Sequence, residues 1–216
     1  MPSRLRPLAL AAAFTLAAGP ALAAPYDSVD FFRAVNIDNA DAVARMLAAG
    51  VDPNQLDPHG QPALTLALQT ESLKVAKVLW DAKGIQVDIR NQAGETPLMM
   101  AALKAEADAA AALLAHGAAV QKDGWSPLHY AATGGSAAIV KLLLSKGAPL
   151  EARSPNGSTP LMMAARYGNE EAVDALLAAG ADRTVKNDLG MDAAAFAASA
   201  GRDRLAARLK PVASAK

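Results

Sequence analysis

Glycines recur along the chain at a nearly constant interval, and this period constrains the fold more than any other feature. They stand at Gly60, Gly94, Gly124, Gly157 and Gly190, with spacings of 34, 30, 33 and 33 residues. A fixed period of this size is typical of repeat architectures, in which each unit buries its apolar face against its neighbours. The 216 residues are therefore predicted to contain one cooperative stack of similar units.

Three of these glycines are followed by nearly the same string of residues. The strings are Thr96-Pro97-Leu98, Ser126-Pro127-Leu128-His129 and Thr159-Pro160-Leu161. Each continues into an Ala-Ala pair, then a Leu pair, then a Gly-Ala dipeptide. A hydroxyl residue caps a helix N-terminus, and proline fits the first helical position because no donor is needed there. Glycine commonly ends a helix. Each unit is thus predicted to hold two helices.

These phased elements resemble the ankyrin repeat, a unit of about 33 residues with a Thr-Pro-Leu-His motif. The resemblance runs from about Asp27 to Leu209. It implies an all-α repeat solenoid, that is, an ankyrin-repeat stack of helix-turn-helix units with projecting hairpin loops. It also implies a non-catalytic protein-protein interaction module. By resemblance, a partner would bind the concave side, which consists of hairpin tips and the exposed ends of the first helices.

The period divides the chain into six predicted units. They are an N-terminal capping unit (24–56), four repeats (about 57–90, 91–121, 122–153 and 154–186) and a C-terminal capping unit (187–210), with a tail at 211–216. The first repeat is degenerate, because Pro62-Ala63-Leu64-Thr65 stands where the motif would be. The last unit has Asp192-Ala193 in place of Thr-Pro, and its second helix is polar, as suits a solvent-facing end cap.

Residues 1–23 are predicted to be a cleaved signal peptide. Arg4 and Arg6 precede an apolar run from Leu8 to Ala18, and Ala21-Leu22-Ala23 has the small-x-small pattern of a cleavage site. The run is much shorter than the ~20 residues that span a membrane, which favours a leader over an anchor. An alanine-rich leader of this kind suggests a bacterial protein that is periplasmic, or alternatively secreted.

Composition narrows the function further. The chain contains no cysteine, so disulfides, thiol catalysis and cysteine-type zinc sites are excluded. Cleavage would remove two arginines and no acidic residue from totals of 21 each, leaving 19 basic against 21 acidic residues. This balance, near −2, disfavours nucleic acid as the main partner. We expect a monomer without a cofactor.

Catalytic motifs do not occur in the sequence. The three histidines, His59, His116 and His129, fall in different units, so no close pair is expected to bind a metal. The motifs of zinc proteases, serine hydrolases and P-loop nucleotide-binding proteins are missing. His129 belongs to the repeat motif, where the resemblance implies that it ties the turn together by hydrogen bonds. We therefore expect no enzyme.

The variable positions of the hairpins and first helices supply the candidate binding residues. The predicted partner-binding set is Trp125, Tyr167, Arg166, Leu103, Lys104, Glu95, Gln61 and Met191. Exposed Trp, Tyr and Arg are the residue types most enriched in interface hot spots. Two alternatives stay open: Trp125 packs over the neighbouring hairpin, and Tyr167 packs over its own turn. Trp80 occupies a Leu-pair position, which favours core packing.

One hairpin is shorter than the rest. Gly117 and Gly124 are 7 residues apart, whereas the other four glycine pairs that bound a hairpin are 10 apart. The missing residues predict a stunted hairpin with a notch beside Trp125. The alternative is a neutral deletion, since loops tolerate changes in length.

Two functions fit these expectations. The first is a periplasmic adaptor or chaperone-like binder of one partner protein. The alternative is a secreted effector that binds a host protein.

Overall fold

A computed structural model describes residues 26–210, which form twelve helices in six consecutive pairs. The helices are α1 (Ser28–Asn36), α2 (Ala40–Ala48), α3 (Ala63–Gln69), α4 (Leu73–Trp80), α5 (Pro97–Leu103), α6 (Ala107–Ala115), α7 (Pro127–Gly134), α8 (Ala137–Ser145), α9 (Pro160–Arg166), α10 (Glu170–Ala178), α11 (Ala193–Ser199) and α12 (Asp203–Leu209). The predicted all-α ankyrin stack is confirmed. The predicted signal peptide and tail lie outside the described residues.

The first helix of a repeat begins where the motif predicts. In the second repeat, Thr96 Oγ1 accepts a hydrogen bond from the amide of Met99 at 3.3 Å. In the fourth repeat, Thr159 Oγ1 accepts one from the amide of Met162 at 3.4 Å. In both repeats the methionine sulfur lies 3.4 or 3.3 Å from the threonine amide and accepts from it in return. The capping role predicted for Thr96 and Thr159 is therefore confirmed.

The core is a continuous layer of buried aliphatic side chains shared between units. Leu98, Leu128 and Leu161 occupy the same register in three successive repeats and are all buried. Burying such a side chain stabilises the fold by about 1.5–3 kcal/mol. Trp80 is also buried, as predicted for its Leu-pair position. Small alanines let the first helices α5, α7, α9 and α11 pack against one another more closely than the second helices do.

First helices of neighbouring repeats approach closely where α7 ends against α5. A Cβ atom added to Gly134 would lie 2.4 Å from the carbonyl oxygen of Leu103. No side chain fits at that distance, so glycine is required for the two first helices to approach. Gly134 ends α7 and Gly135 follows it as the C-cap residue, in a left-handed conformation.

Side chains also connect each unit to the backbone of the next. Asp38 Oδ1 accepts from the amide of Val75 at 2.9 Å. Asp88 accepts from the amide of Ala119 at 3.0 Å, and Glu151 accepts from that of Asp182 at 2.8 Å. In all three cases the acceptor precedes its donor by about one period.

The last helix faces solvent only in part. Arg202, the residue before α12, lies within hydrogen-bond distance of the carbonyl oxygens of Ala164, Ala165 and Gly168, at 3.1, 2.9 and 2.8 Å. Arg208 pairs with two carboxylates of α10, whereas Arg204 is exposed. Arg202 and Arg208 thus also bind the fourth repeat, although Arg208 stays exposed. None of the helices between residues 26 and 210 is long and apolar enough to cross a membrane.

Candidate protein-binding face

The hairpin loops between units, called fingers below, share one pattern of backbone bonds with a single exception. In the finger of the fourth repeat, the amide of Ser154 donates to the carbonyl of Ser158 at 3.0 Å, and that of Gly157 donates to Ser154 at 2.8 Å. Equivalent pairs of bonds occur in the fingers ending at Gly60, Gly94 and Gly190. The short finger, residues 117–124, makes neither bond within the part of the chain that the structure describes. The deletion has thus removed the hairpin bonding as well as length.

Trp125 follows the short finger directly. Its side chain is neither fully buried nor fully exposed. The ring packs edge-on against the imidazole of His129, with centroids 5.4 Å apart and an interplanar angle of 79°. The imidazole thus contacts the indole, which stays partly exposed.

A groove of about 260 Å³ lies beside Trp125. It is called the Trp125 groove here, and its walls come from three successive repeats: Leu103, Trp125, Tyr130, Thr133 and Met163. All five side chains are partly exposed. None of residues 117–124 lines the groove, so the notch predicted from the shortened hairpin stays a prediction.

The two hydroxyl groups in this wall are already bonded inside the protein. Tyr130 Oη donates to Glu95 Oε1 at 2.7 Å. Thr133 Oγ1 donates to the carbonyl oxygen of His129 at 2.9 Å. What the groove presents to a partner is therefore mostly carbon surface.

Sequence reasoning selected only Trp125 and Leu103 of this set. It missed Tyr130 and Met163, which stand four residues after the N-cap residues of their helices, and Thr133, which stands seven after. Leu103 also stands seven residues after its N-cap, so the register itself was the available signal.

Glu95 and Gln61, both predicted as partner contacts, belong to a polar chain that links three units. Asn91 Nδ2 donates to Glu95 Oε2 at 2.7 Å and to Gln61 Oε1 at 3.1 Å. Burial, together with the neighbouring Glu95 carboxylate, raises the pKa of Tyr130 above its ordinary value of 10.0. Both carboxylate oxygens of Glu95 are thus engaged within the protein, one by Tyr130 and one by Asn91.

Arg166 and Tyr167 form one edge of the same face. The Arg166 guanidinium carbon lies 5.2 Å from the centre of the Tyr167 ring, and its Nη1 donates to Ser199 Oγ at 3.0 Å. Tyr167 remains 57 % exposed. Lys104, at the opposite edge, pairs with Glu71 Oε1 at 2.9 Å. Arg166 has no carboxylate partner among residues 26–210.

Met191, which is predicted to contact the partner, and His59 both lie away from the Trp125 groove. Met191 stands at the base of the last finger, where it is partly exposed and its carbonyl accepts from Asn187. His59 is exposed at the tip of the first finger. The structure brings neither of them to the groove, whose walls are named above.

The family model described as ankyrin repeats (3 copies) matches residues 31–122, 83–154, 119–187 and 140–210. Its overlapping matches run from the first described helix pair to the last. The chain belongs to the ankyrin-repeat family. Repeats of this family are generally protein-binding modules and are typically non-catalytic.

Curated relatives share only the ankyrin region. The B-cell lymphoma 3 protein homolog of Mus musculus is 34 % identical over 125 residues, which is 55 % of this chain and 28 % of that protein. SH3 and multiple ankyrin repeat domains protein 1 of Homo sapiens is 39 % identical over 133 residues, or 59 % of this chain and 6 % of that protein. The chain thus spans less than a third of the length of these relatives.

Two solved bacterial-type ankyrin structures match over most of the chain. One belongs to the complex of the predatory endopeptidase Bd0816 from Bdellovibrio bacteriovorus with the immunity protein Bd3460, with 26 % identity and a TM-score of 0.71. That match covers 86 % of this chain and 100 % of the other. The second is EF0377, an ankyrin repeat protein, at 23 % identity and a TM-score of 0.70, covering 85 % of this chain and 98 % of the other. The second likeness shows the fold alone.

His129, the one motif histidine of this ankyrin chain, is buried and fully bonded. Its Nε2 faces the carbonyl oxygen of Ser158 at 3.0 Å, so that nitrogen carries the proton. Nδ1 then accepts from the amide of Ser126 at 3.2 Å and lies 2.8 Å from the Ser126 hydroxyl. The Ser126 hydroxyl thus engages His129 rather than acting as Thr96 and Thr159 do.

Burial is the main cause that lowers the pKa of His129 below its ordinary value of 6.5, since it disfavours the charged imidazolium. The arrangement is structural, as the sequence predicts. Among residues 26–210, no three His, Asp or Glu side chains are grouped so that they could hold a metal ion.

Proposed function

We propose that this ankyrin chain is a non-catalytic binding protein that holds one partner protein on its concave face, through the Trp125 groove and the Arg166–Tyr167 edge. One observation carries the proposal: the partly exposed Trp125 borders a depression of about 260 Å³ whose two hydroxyl groups are already bonded within the protein. An open carbon surface beside the exposed Tyr167 and the partly exposed Trp125 and Arg166 has the composition of an interface hot spot.

The setting we propose is the periplasm, with the chain as an adaptor or chaperone-like binder. The support for export is the leader pattern of residues 1–23. Fractionation of the native organism tests it, because a periplasmic protein is released by osmotic shock. Recovery of the mature protein from the culture medium or from host cells would favour the secreted effector instead.

A second candidate is an immunity-type role, in which the partner is a peptidase. It is supported by the likeness to a chain from the endopeptidase–immunity protein complex, which extends over 100 % of that chain. The test is to measure whether the purified protein inhibits a peptidase that is recovered with it. Normal peptidase activity at saturating amounts of the protein would contradict this role.

Affinity purification from periplasmic extract tests the proposed face. Trp125→Ala and Tyr167→Ala are expected to lose the specific partner that the unchanged protein retains. Leu189→Ala is the matched control, because Leu189 is 75 % exposed but lies on the last finger. The face is wrong if both test variants keep every partner, and circular dichroism of each variant confirms that it is folded.

A further inference from the structure

We infer that the Trp125 groove takes one apolar side chain from an extended segment of the partner, and that a nearby carboxylate of the same segment binds Arg166. This inference rests on the proposed function, because it names the chemistry of the segment that the same face would hold.

The walls of the groove select an apolar side chain. The Tyr130 hydroxyl is committed to Glu95 and the Thr133 hydroxyl to the His129 carbonyl. A polar side chain placed there would lose its hydration without a new partner, and an unsatisfied buried polar group is costly. Leu, Ile, Met or Phe meets no such penalty. The volume of 260 Å³ lies below the ~300–1,000 Å³ of pockets for drug-sized ligands, so it fits one side chain rather than a cofactor.

The rim supplies one donor for the backbone of that segment. Trp125 Nε1 makes no hydrogen bond within residues 26–210, and the side chain is partly exposed. A carbonyl oxygen of an extended chain can accept from it. The indole then contributes both carbon surface and a donor, as tryptophan commonly does at interfaces.

The positive charge of Arg166 sets the second requirement for the partner segment, which is an acidic residue. Met163 in the groove wall and Arg166 lie three residues apart on α9, so they are neighbours on one face of that helix. Arg166 contacts a hydroxyl and an aromatic ring but no carboxylate of the described chain, whereas Lys104 at the opposite edge is already paired with Glu71. The complementary charge is therefore negative and belongs on the Arg166 side.

The spacing in the partner follows from the geometry of extended chains. Side chains two positions apart point to the same side and are about 7 Å apart, close to the separation of neighbouring side chains on a helix. The acidic residue is thus expected within three positions of the apolar one.

Selection from a displayed library of random peptides tests this chemistry on the full mature chain. We expect enrichment of peptides that carry Leu, Ile, Met or Phe with Asp or Glu within three positions. With Arg166→Glu, the acidic preference is expected to change to Lys or Arg. Arg204→Glu is the matched control, because Arg204 is exposed on the last helix and should leave the acidic preference unchanged. Trp125→Ala should weaken binding of the selected peptides about tenfold, the loss expected for a modest hot spot.

Each alternative outcome identifies what fails. Enriched peptides without an apolar residue, or an acidic preference that survives Arg166→Glu, would overturn the inference while leaving the concave face as the binding site. Binding that Trp125→Ala leaves unchanged would overturn the proposed face itself. If no peptide is enriched, segment binding is wrong, and the partner purification still decides the proposed function separately.

Discussion

The third repeat (122–153) and the fourth (154–186) share a motif but are held together by different hydrogen bonds. The fourth has a full finger closed by two backbone bonds, and Met162 sulfur caps the start of its first helix. The third has the short finger without those bonds, and His129 replaces the methionine. Through Nε2, His129 donates to Ser158 in the finger of the fourth repeat.

The third repeat thus lacks the two finger bonds and instead has a side-chain hydrogen bond to the next unit. A bond that reaches into the next unit replaces part of what the deletion removed. The deletion also stands beside Trp125, where the groove opens. Departure from the motif therefore coincides with the candidate site, while the parts that match the motif maintain the fold.

The inter-helix turns should give the largest contrast between the two repeats. Gly134 of the third repeat and Tyr167 of the fourth occupy the same register, but a Cβ atom on Gly134 would lie 2.4 Å from the carbonyl oxygen of Leu103, whereas the Tyr167 side chain is exposed. Gly134→Ala is expected to lower the free energy of unfolding by about 3 kcal/mol, because the new methyl overlaps α5. Tyr167→Ala should cost far less, since Tyr167 is exposed. Urea unfolding compares them, and equal losses would refute the packing argument.

Lengthening the short finger should remove the difference in finger length between the third and fourth repeats, next to the Trp125 groove. Three residues inserted into the short finger would return it to the 10-residue spacing of the others. Because loops tolerate insertion, stability should change little. A full finger would crowd the groove, and partner affinity should fall about tenfold, or 1.4 kcal/mol.

Binding by the finger-restored variant is measured against the unchanged chain by calorimetry. A matched insertion of the same residues into the finger of the fourth repeat should affect affinity less. Undiminished binding by the restored variant would support the neutral-deletion alternative.

The residue in this register, His129 in the third repeat and Met162 in the fourth, can be exchanged between the two repeats. His129→Met should cost about 1–1.5 kcal/mol near neutral pH, the net value of the lost bond to Ser158. Met162→His is the reciprocal change, since the Met191 carbonyl stands in the register of Ser158. That variant should gain the corresponding hydrogen bond from the imidazole to the Met191 carbonyl.

The same exchange predicts a pH effect. Because burial lowers the pKa of His129, the unfolded chain binds a proton below about 6.5 that the folded chain does not. Stability from this residue is therefore full above 6.5 and declines as the pH falls below it. Melting temperatures at about pH 7.5 and pH 5.5 should show a smaller acid loss in His129→Met than in the unchanged chain. An identical loss in both would show that other groups cause it.

The smallest expected change in stability comes from a substitution in the first repeat. Its Thr65 stands in the register of His129 and Met162, but its buried hydroxyl has no hydrogen-bond partner. Thr65→Val removes that group at nearly constant volume and should stabilise the chain by up to about 1 kcal/mol. Thr133→Val is the comparison that should not stabilise, because the Thr133 hydroxyl is bonded. Thermal unfolding checks both.

Most of the fold could be predicted because each ankyrin unit repeats its own local signals. Thr96, Thr159 and the prolines after them mark helix starts through interactions within four residues. The residues of the Trp125 groove were harder to predict, because Tyr130 and Met163 approach Trp125 only after neighbouring repeats dock. Arg202 was missed for the same reason, since its acceptors lie 34 to 38 positions earlier. The cleaved leader lies outside the described residues and stays a prediction.

The ties between units also give the stack an order of assembly. Asp38, Asp88 and Glu151 each precede the backbone amide that they hold in the next unit. When a chain emerges with its N-terminus first, each acceptor is already in place before its donor arrives. A new unit can then dock onto a surface that is already formed, although the third repeat gains its His129 bond only when Ser158 of the fourth repeat arrives.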